Sequence, residues 1–372
     1  MNTHKNRVFI SAAEILVPPA QDLSSFLNQV VGGVVATADS HQDVSNLISL
    51  EALDLKLDST DKHHPSVKDV KSMRTDVIAM CICMSKMLLK YGEANWSEVP
   101  LFVSTGASST GLTEEIDKIY SLLREQISAS ESKRNQQVSR DIHPLFALKA
   151  LTNSAQAYAA QLFGFRGQNT TFGSTSNGSF HAFTEAVDAI QFGEAQRAVV
   201  GASNGGGLYS QLMSLGLAPE GRSFRESAVA VTMILESEKS LVLRKAKSSC
   251  EIFEVRASTL LPQLSEPISS KRYSEFSSDV NFSAEAHAIF SGGACLENFL
   301  SESKSVGEHW TKHSSPYSAL GSSGCASFLL NLALGFQMLE EKLSTKVDCL
   351  DSDTYFRESF IQLGSPWVSV KP

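Results

Sequence analysis

Two stretches of the sequence could carry chemistry by residue type and spacing. Gly201-Ala202-Ser203-Asn204-Gly205 matches G-x-S-x-G and follows the apolar run Ala198-Val199-Val200. A serine on a sharp turn after a buried strand can present its hydroxyl as an acyl-transfer nucleophile, given an acid and a histidine beside it. His287, His309 and His313 lie downstream as candidate partners. A tight backbone turn after a core strand would use the same glycines, so the pattern has a structural account as well. The second stretch is Gly173-Ser174-Thr175-Ser176-Asn177-Gly178, a glycine-and-serine turn that runs into a segment of helical pattern. The six cysteines, Cys81, Cys83, Cys250, Cys295, Cys325 and Cys349, form no C-x-x-C pair. Metal centres and a disulfide framework are therefore not expected, and the thiols read as buried in a cytoplasmic protein.

The elements that must position these residues follow from hydrophobic periodicity. Val8-Phe9-Ile10 reads as a buried strand. Asp22 can cap a helix over 22–31 with Phe26, Leu27 and Val30 on one face. A helix over 72–91 buries Val77, Met80, Cys81, Met84, Met87 and Leu88 and stops at Gly92. A strand over 100–103 leads into Ser104-Thr105-Gly106. Helices are expected over 114–126, 145–162, 178–192, 284–300 and 325–342. Strands are expected over 167–173, 198–200, 228–236, 240–245, 252–257 and at Val280-Asn281. Exposed connections are expected over 36–68, 127–141 and 262–277. The turn Gly321-Ser322-Ser323-Gly324 before a small-residue helix echoes the turn at 173–178, which fits two duplicated halves. Strands alternating with helices imply an α/β sheet covered on both faces.

Composition excludes several classes. The chain has 372 residues, 42% of them hydrophobic and 19% charged, enough apolar surface for a large core. Lys and Arg number 32 against 40 Asp and Glu, a net charge of −8. A nucleic-acid partner is not expected of so acidic a chain. No apolar run approaches the ~18 residues of a membrane span, and the short run after Arg7 is too brief for a signal peptide.

The block 167–201 resembles the β-ketoacyl synthase family of the thiolase fold. Its parts are the turn at 173–178, the helix after it, the turn Phe192-Gly193-Glu194-Ala195 and the strand ending at Gly201. His143-Pro144-Leu145, Leu151-Thr152-Asn153 and Ser104-Thr105-Gly106 extend the likeness, which covers most of 7–240 and more thinly the rest. The resemblance implies an α/β, thiolase-like fold of two duplicated βαβαβ-type halves in a layered α-β-α-β-α arrangement, the first over 1–238 and the shortened second over 239–372.

Aligned with that family, the catalytic positions are degenerate. The nucleophilic cysteine falls on Ser176. The histidine of a Val-Asn-x-His motif falls on Ser283, and that of a Gly-His motif falls on Ser318; a neighbouring lysine falls on His313. Decarboxylative condensation needs a thiolate, which a helix N-terminus favours by its dipole, and a serine hydroxyl is not ionised near neutral pH. The family's glycine-rich loops are also reduced: one shrinks to residues 222–228, and the chain ends without its C-terminal gating loop.

A homologue that lacks the nucleophilic cysteine in this way resembles the chain-length factor (KS-beta) of a bacterial type II polyketide synthase. The resemblance implies a non-catalytic subunit that forms a heterodimer with a cysteine-bearing ketosynthase (KS-alpha) and shapes an interface tunnel that sets polyketide length. Thr113, Ile116 and Tyr120 would form the chain-length gate, their i, i+3, i+7 spacing placing them on one helix face. Ile116 and Tyr120 could equally be core or interface residues. No cofactor would be bound by this chain. An acyl carrier protein would bring malonyl units on its phosphopantetheine arm, and the product would be an aromatic, anthraquinone-type polyketide or an aryl polyene. A serine hydrolase acting through Ser203, or an atypical β-ketoacyl synthase acting as a homodimer, are the alternative readings.

Overall fold

The computed structural model describes residues 5–17, 22–32, 73–92, 94–106, 120–121, 124, 133, 136, 140, 151–173, 176–205, 227–248, 250–259, 286–291, 310, 312–352 and 357–366. In chain order the first part contains β1 (Val8–Leu16), α1 (Leu23–Val31), α2 (Thr75–Tyr91), β2 (Leu101–Thr105), α3 (Ser154–Phe163), β3 (Asn169–Phe172), α4 (Ser176–Gln191), β4 (Arg197–Asn204), β5 (Val229–Ser237) and α5 (Glu238–Arg244). The second contains β6 (Cys250–Thr259), β7 (His287–Ser291), β8 (Lys312–Ser314), α6 (Pro316–Leu320), a 3-10 turn (Gly324–Ala326), α7 (Ser327–Glu340), β9 (Lys346–Ser352) and β10 (Arg357–Gly364).

The strands line up as β3-β2-β4-β5-β1-β6-β10-β9-β7-β8. Read inward from each edge, the two halves have the same topology. In the first, β2 is parallel to β3 and β4, and β5 is antiparallel to β4 and β1. In the second, β7 is parallel to β8 and β9, and β10 is antiparallel to β9 and β6. The duplication expected from the sequence is thus a duplication of topology. The strand seam between the halves is short: among the described residues β1 and β6 pair in register at Phe9↔Glu251 and Ile10↔Cys250.

The matching helices α4 and α7 pack on one another and on strands of both halves. Phe180 and Phe183 of α4 meet the ring of Phe328 in α7 edge-on, with centroids 5.1 and 6.3 Å apart. This central layer holds the largest apolar cluster, with Phe102, Val200, Ala202, Ile289, Val347 and Cys349 of the two half-sheets facing it. The helix α2, joined by α3, covers the other face of the first half-sheet against Leu101, Val103, Val199 and Ile234. On the outer face of the second half-sheet, Ala288, Phe290, Leu350 and Phe360 cluster with Trp310.

Several expectations need correction. Residues 238–244 are helical rather than extended: Ser237 Oγ accepts the Ser240 N–H at 3.2 Å as an N-cap, and Lys245 ends the helix at φ 53°. A serine cap decides the outcome over an apolar run of strand-like composition. Residues 287–291, expected in a helix, form β7, a strand buried along its whole length between β8 and β9. The strands β8, β9 and β10 were not expected at all. The expected helix over 114–126, the strand at Val280-Asn281 and the connections over 36–68, 127–141 and 262–277 fall largely outside the described residues.

Candidate functional site

Sheet alternation sorts the ends of β2 and β4 into two faces. Phe102, Val200 and Ala202 belong to the central core, and Leu101, Val103 and Val199 to the outer one. With a period of two, Ser104 and Asn204 therefore turn toward α4 and α7, whereas Thr105 and Ser203 turn outward. Thr105 Oγ1 donates to Thr152 O at 2.7 Å just before α3. Ser203 is fully buried, and its Oγ has no hydrogen-bond partner among the described residues.

That placement corrects the hydrolase reading. Ser203 sits inside β4, which runs on to Asn204 and pairs with β5 through Ser203↔Ala230 and Asn204↔Val229. A nucleophile elbow needs an exposed serine at a strand-to-helix turn. Here the residue is a sealed strand position on the face away from the central helices. Of the histidines proposed as partners, His309 lies outside the described residues. His287 Nε2 is 2.9 Å from Ser314 Oγ, and exposed His313 has its ring 6.0 Å from that of Phe290.

The head of α4 is the second candidate. Ser176 is the first residue of this helix, where aligned peptide dipoles favour negative charge. Two residues on, Gly178 is packed so closely that a Cβ would lie 2.0 Å from Gly173 O and 2.7 Å from Ser104 Oγ. Ser104 is buried beneath this first turn, its Oγ without a partner among the described residues. Asn177, also buried, has Nδ2 2.9 Å from His181 Nε2 one turn later, and the His181 ring stacks near Phe172 of β3.

The head of α7 is arranged differently. Asp351, at the end of β9, accepts hydrogen bonds from Ser291 Oγ of β7 and, at 2.8 Å, from Ser327 Oγ of α7. Asn331 Nδ2 donates to Ser291 Oγ at 3.2 Å and to Leu350 O at 2.6 Å. Duplicated topology therefore carries different chemistry: a hydrogen-bonded carboxylate lies under one central helix and a lone hydroxyl under the other.

The described cysteines are free and buried. Burial pushes Cys81 and Cys83 up to about 12 and Cys250 and Cys349 well above the ordinary thiol value. Cys325 is buried and donates to Ser203 O at 3.1 Å. Cys295 falls outside the described residues, as do Ser283, Thr113 and Ile116. Ser318 lies in α6. Tyr120 is helical and 67% exposed. No group of three His, Cys, Asp or Glu side chains among the described residues could hold a metal ion. No helix among them is long and apolar enough to cross a membrane.

The sequence reading missed the residues that join the two halves here. Asn204, Ser227, Leu320, Ser322 and Gly324 converge at the ends of β2 and β4. Their only signal was the pair of glycine-rich motifs at 201–205 and 321–324, which the reading assigned to a nucleophile turn and to an internal repeat.

Comparison with known proteins places this geometry. The profile described as Beta-ketoacyl synthase, N-terminal domain, matches residues 5–225. No curated protein matches by sequence. Among solved structures, the fold is similar to a type II PKS acyl-carrier protein in complex with its ketosynthase bound to the hexaketide (AntDE:AntF). That likeness has a TM-score of 0.71 at 16% identity over 97% of this chain and 99% of the other. It is also similar to the ishigamide ketosynthase/chain length factor, with a TM-score of 0.67 at 12% identity over 97% and 99% of the two chains. A third likeness is the oxazolomycin ketosynthase domain OzmH KS8 of Streptomyces albus JA3453, with a TM-score of 0.62 at 11% identity over 97% and 95%. With the profile covering more than half of its length and the duplicated topology on either side of α4 and α7, the chain belongs to the β-ketoacyl synthase family.

Proposed function

We propose that this chain is the chain-length factor of a type II polyketide synthase, the non-catalytic partner of a cysteine-bearing ketosynthase. One observation carries the reading. The head of α4, where the family's nucleophilic cysteine aligns, is occupied by Ser176, and the described cysteines are buried elsewhere. A hydroxyl at a helix N-terminus gains far too little from the dipole to ionise near neutral pH, so it cannot hold a growing chain as a thioester. Growth would take place on the partner's cysteine. An acyl carrier protein would present malonyl units to the partner on its phosphopantetheine arm, and this chain would bind no cofactor of its own.

The open edge of β3 supports a partner at that side. Among the described residues β3 pairs only with β2 and is partly exposed along its length, which leaves a row of backbone donors and acceptors for another strand. Thr113, Ile116 and Tyr120 remain the proposed gate of the interface tunnel, and the exposed Tyr120 is available to a partner surface. The test is co-expression of the tagged chain with its cognate ketosynthase, followed by size-exclusion chromatography with mass detection. A 1:1 complex supports the assignment; a self-sufficient homodimer that ignores the ketosynthase rejects it.

A further inference from the structure

Exposed apolar and basic side chains come together at the end of the first half-sheet where β4 begins. There β5 ends beside β4, at Glu236↔Arg197, and runs into α5. The helix α2 also ends there, the hydroxyl of Tyr91 reaching Glu236 at 3.0 Å. So does α4, where Asn6 N–H and Asn6 Nδ2 donate to Gln191 O and Ile190 O. One face of α5 is pinned to this frame. Leu241 is buried, and Arg244 lies over the Tyr91 ring at 4.2 Å while it pairs with Glu236. Val242 and Leu243 turn outward, 69% and 74% exposed.

Basic side chains surround this pair. Lys239 stands one turn earlier on the same helix face, and Lys245 and Lys247 follow directly after α5; all three are exposed. Three carboxylates around the helix are engaged: Glu236 with Arg244, and Glu238 and Glu251 with Arg7. At the end of α4, exposed Phe192 has Lys5 Nζ 5.5 Å from its ring centroid, and Glu194 is an exposed carboxylate in the turn that follows. Scattered single apolar residues on a surface need no explanation. Two in a row, projecting from a short helix between lysines, suit a deformable anionic phase. A rigid partner needs a matching hollow, whereas a headgroup layer parts around apolar side chains, and lysine stems lie along it with their charges at the phosphates. The chain carries a net charge of −8, so an anionic surface attracts it only where lysines gather and carboxylates are neutralised.

We propose that this pole of the first half rests on an anionic lipid surface, with Val242 and Leu243 entering the headgroup layer and Lys239, Lys245 and Lys247 on the lipid phosphates. The contact lies on the membrane and does not cross it. It leaves other surfaces available. α5 follows β5, three strands in from the β3 edge. The eight residues of β4 put about 26 Å between the two ends of the half-sheet. The inference stands apart from the chain-length-factor reading, which co-purification with the ketosynthase decides.

The test is co-sedimentation of the full-length chain, alone and in complex with the ketosynthase, with phosphatidylcholine vesicles that contain or lack phosphatidylglycerol. The proposal expects binding to the phosphatidylglycerol vesicles at ~0.1 M salt and its loss at ~1 M, where the Debye length falls to about 3 Å. Two variants carry the assignment to this surface, Val242→Ser/Leu243→Ser and Lys239→Glu/Lys245→Glu/Lys247→Glu. Each should lower the partition coefficient at least tenfold, since one lysine near such a surface strengthens binding about fivefold. All five positions are exposed, so both variants should keep the parent's melting temperature. Absence of binding by the parent chain, or binding by either variant within twofold of the parent, would overturn the proposal. Vesicle binding absent while the lysine variant loses affinity for an acidic acyl carrier protein would also overturn it and assign the surface to protein docking.

Discussion

His287 Nε2 and Ser314 Oγ lie 2.9 Å apart, fastening buried strand β7 to the edge strand β8 that feeds α6 and the turn at Gly321. Burial, followed by electrostatic repulsion from His313 and Lys312, lowers the His287 pKa from 6.5 to about 4. The imidazole is therefore neutral in the folded chain where the unfolded chain would already bind a proton. Stability from this group is complete above about 6.5 and is lost as pH falls toward 4. A shift of this size is worth roughly 3 kcal/mol. His287→Gln should lose less stability than the parent between pH 7 and pH 5 in urea titrations. Parallel losses in the two proteins would contradict the account.

Glu236 is buried at the end of β5 and ties four elements together. It accepts hydrogen bonds from Ser11 of β1 at 2.7 Å, Tyr91 of α2 at 3.0 Å, and Ser240 and Arg244 of α5 at 2.6 and 2.9 Å. Burial works to raise its pKa, but the hydrogen bonds from Arg244, Ser240 and Ser11 and the Arg244 charge outweigh it, so the carboxyl sits below its ordinary value. Its contribution is present above the ordinary carboxylate range and is lost as pH falls below it. Removing one member of a fully buried ion pair costs about 3–5 kcal/mol, and the 35% exposure of the Arg244 side chain brings the cost here below that range. Glu236→Ala should therefore lower the urea midpoint strongly at pH 7; a loss under about 1 kcal/mol would show that the network adds little.

Gly178 and Gly173 make a matched pair. A methyl on Gly178 meets the backbone oxygen of Gly173 at 2.0 Å, whereas one on Gly173 meets nothing within 4 Å. Backbone cannot yield as a flexible side chain does, and overpacking of this kind costs about 1–3 kcal/mol. Gly178→Ala should be destabilised by at least that much and should disturb the head of α4. Gly173→Ala should melt within a degree or two of the parent. Equal melting temperatures would contradict the close packing of Gly178 on Gly173 O.

Much of this architecture was legible because its central elements follow simple periodicities. The helices α2 and α4, and strands β1, β4 and β5, lie where apolar spacing places them, since their apolar residues fill the cores on the two faces of the first half-sheet. The second half was harder to read. β7 is buried on both faces, so Ala288-Ile289-Phe290 lacks the alternation that marks a half-exposed strand. The segment 238–244 carries strand-like residues, yet Ser237 caps a helix there. The G-x-S-x-G pattern was visible, but a motif does not state where its strand ends. β4 continues through Ser203, which puts that hydroxyl on the face away from the central helices, while its neighbour Asn204 packs against Gly106 and Gly324.

The proposed gate has a direct consequence for the product. Thr113 is small where a bulky side chain would shorten the tunnel. Thr113→Trp in the assembled complex should shorten the polyketide by at least one two-carbon unit, as read by mass spectrometry of the released products. Unchanged chain length would remove Thr113 from the gate. Ser176→Ala should leave product formation within about twofold of the parent, since a residue that only opens a helix costs about 1 kcal/mol in stability and nothing in chemistry. Loss of activity in that variant would show that the serine retains a part in decarboxylation.

The central claim is that growing chains are never held on this subunit. The most direct measurement is intact-protein mass spectrometry of the purified complex after brief incubation with starter- and malonyl-loaded acyl carrier protein. The account expects acyl mass on the ketosynthase alone, with this chain at its unmodified mass and no condensation when it is supplied without its partner. An acyl adduct on this chain, or polyketide made by it alone, would contradict it.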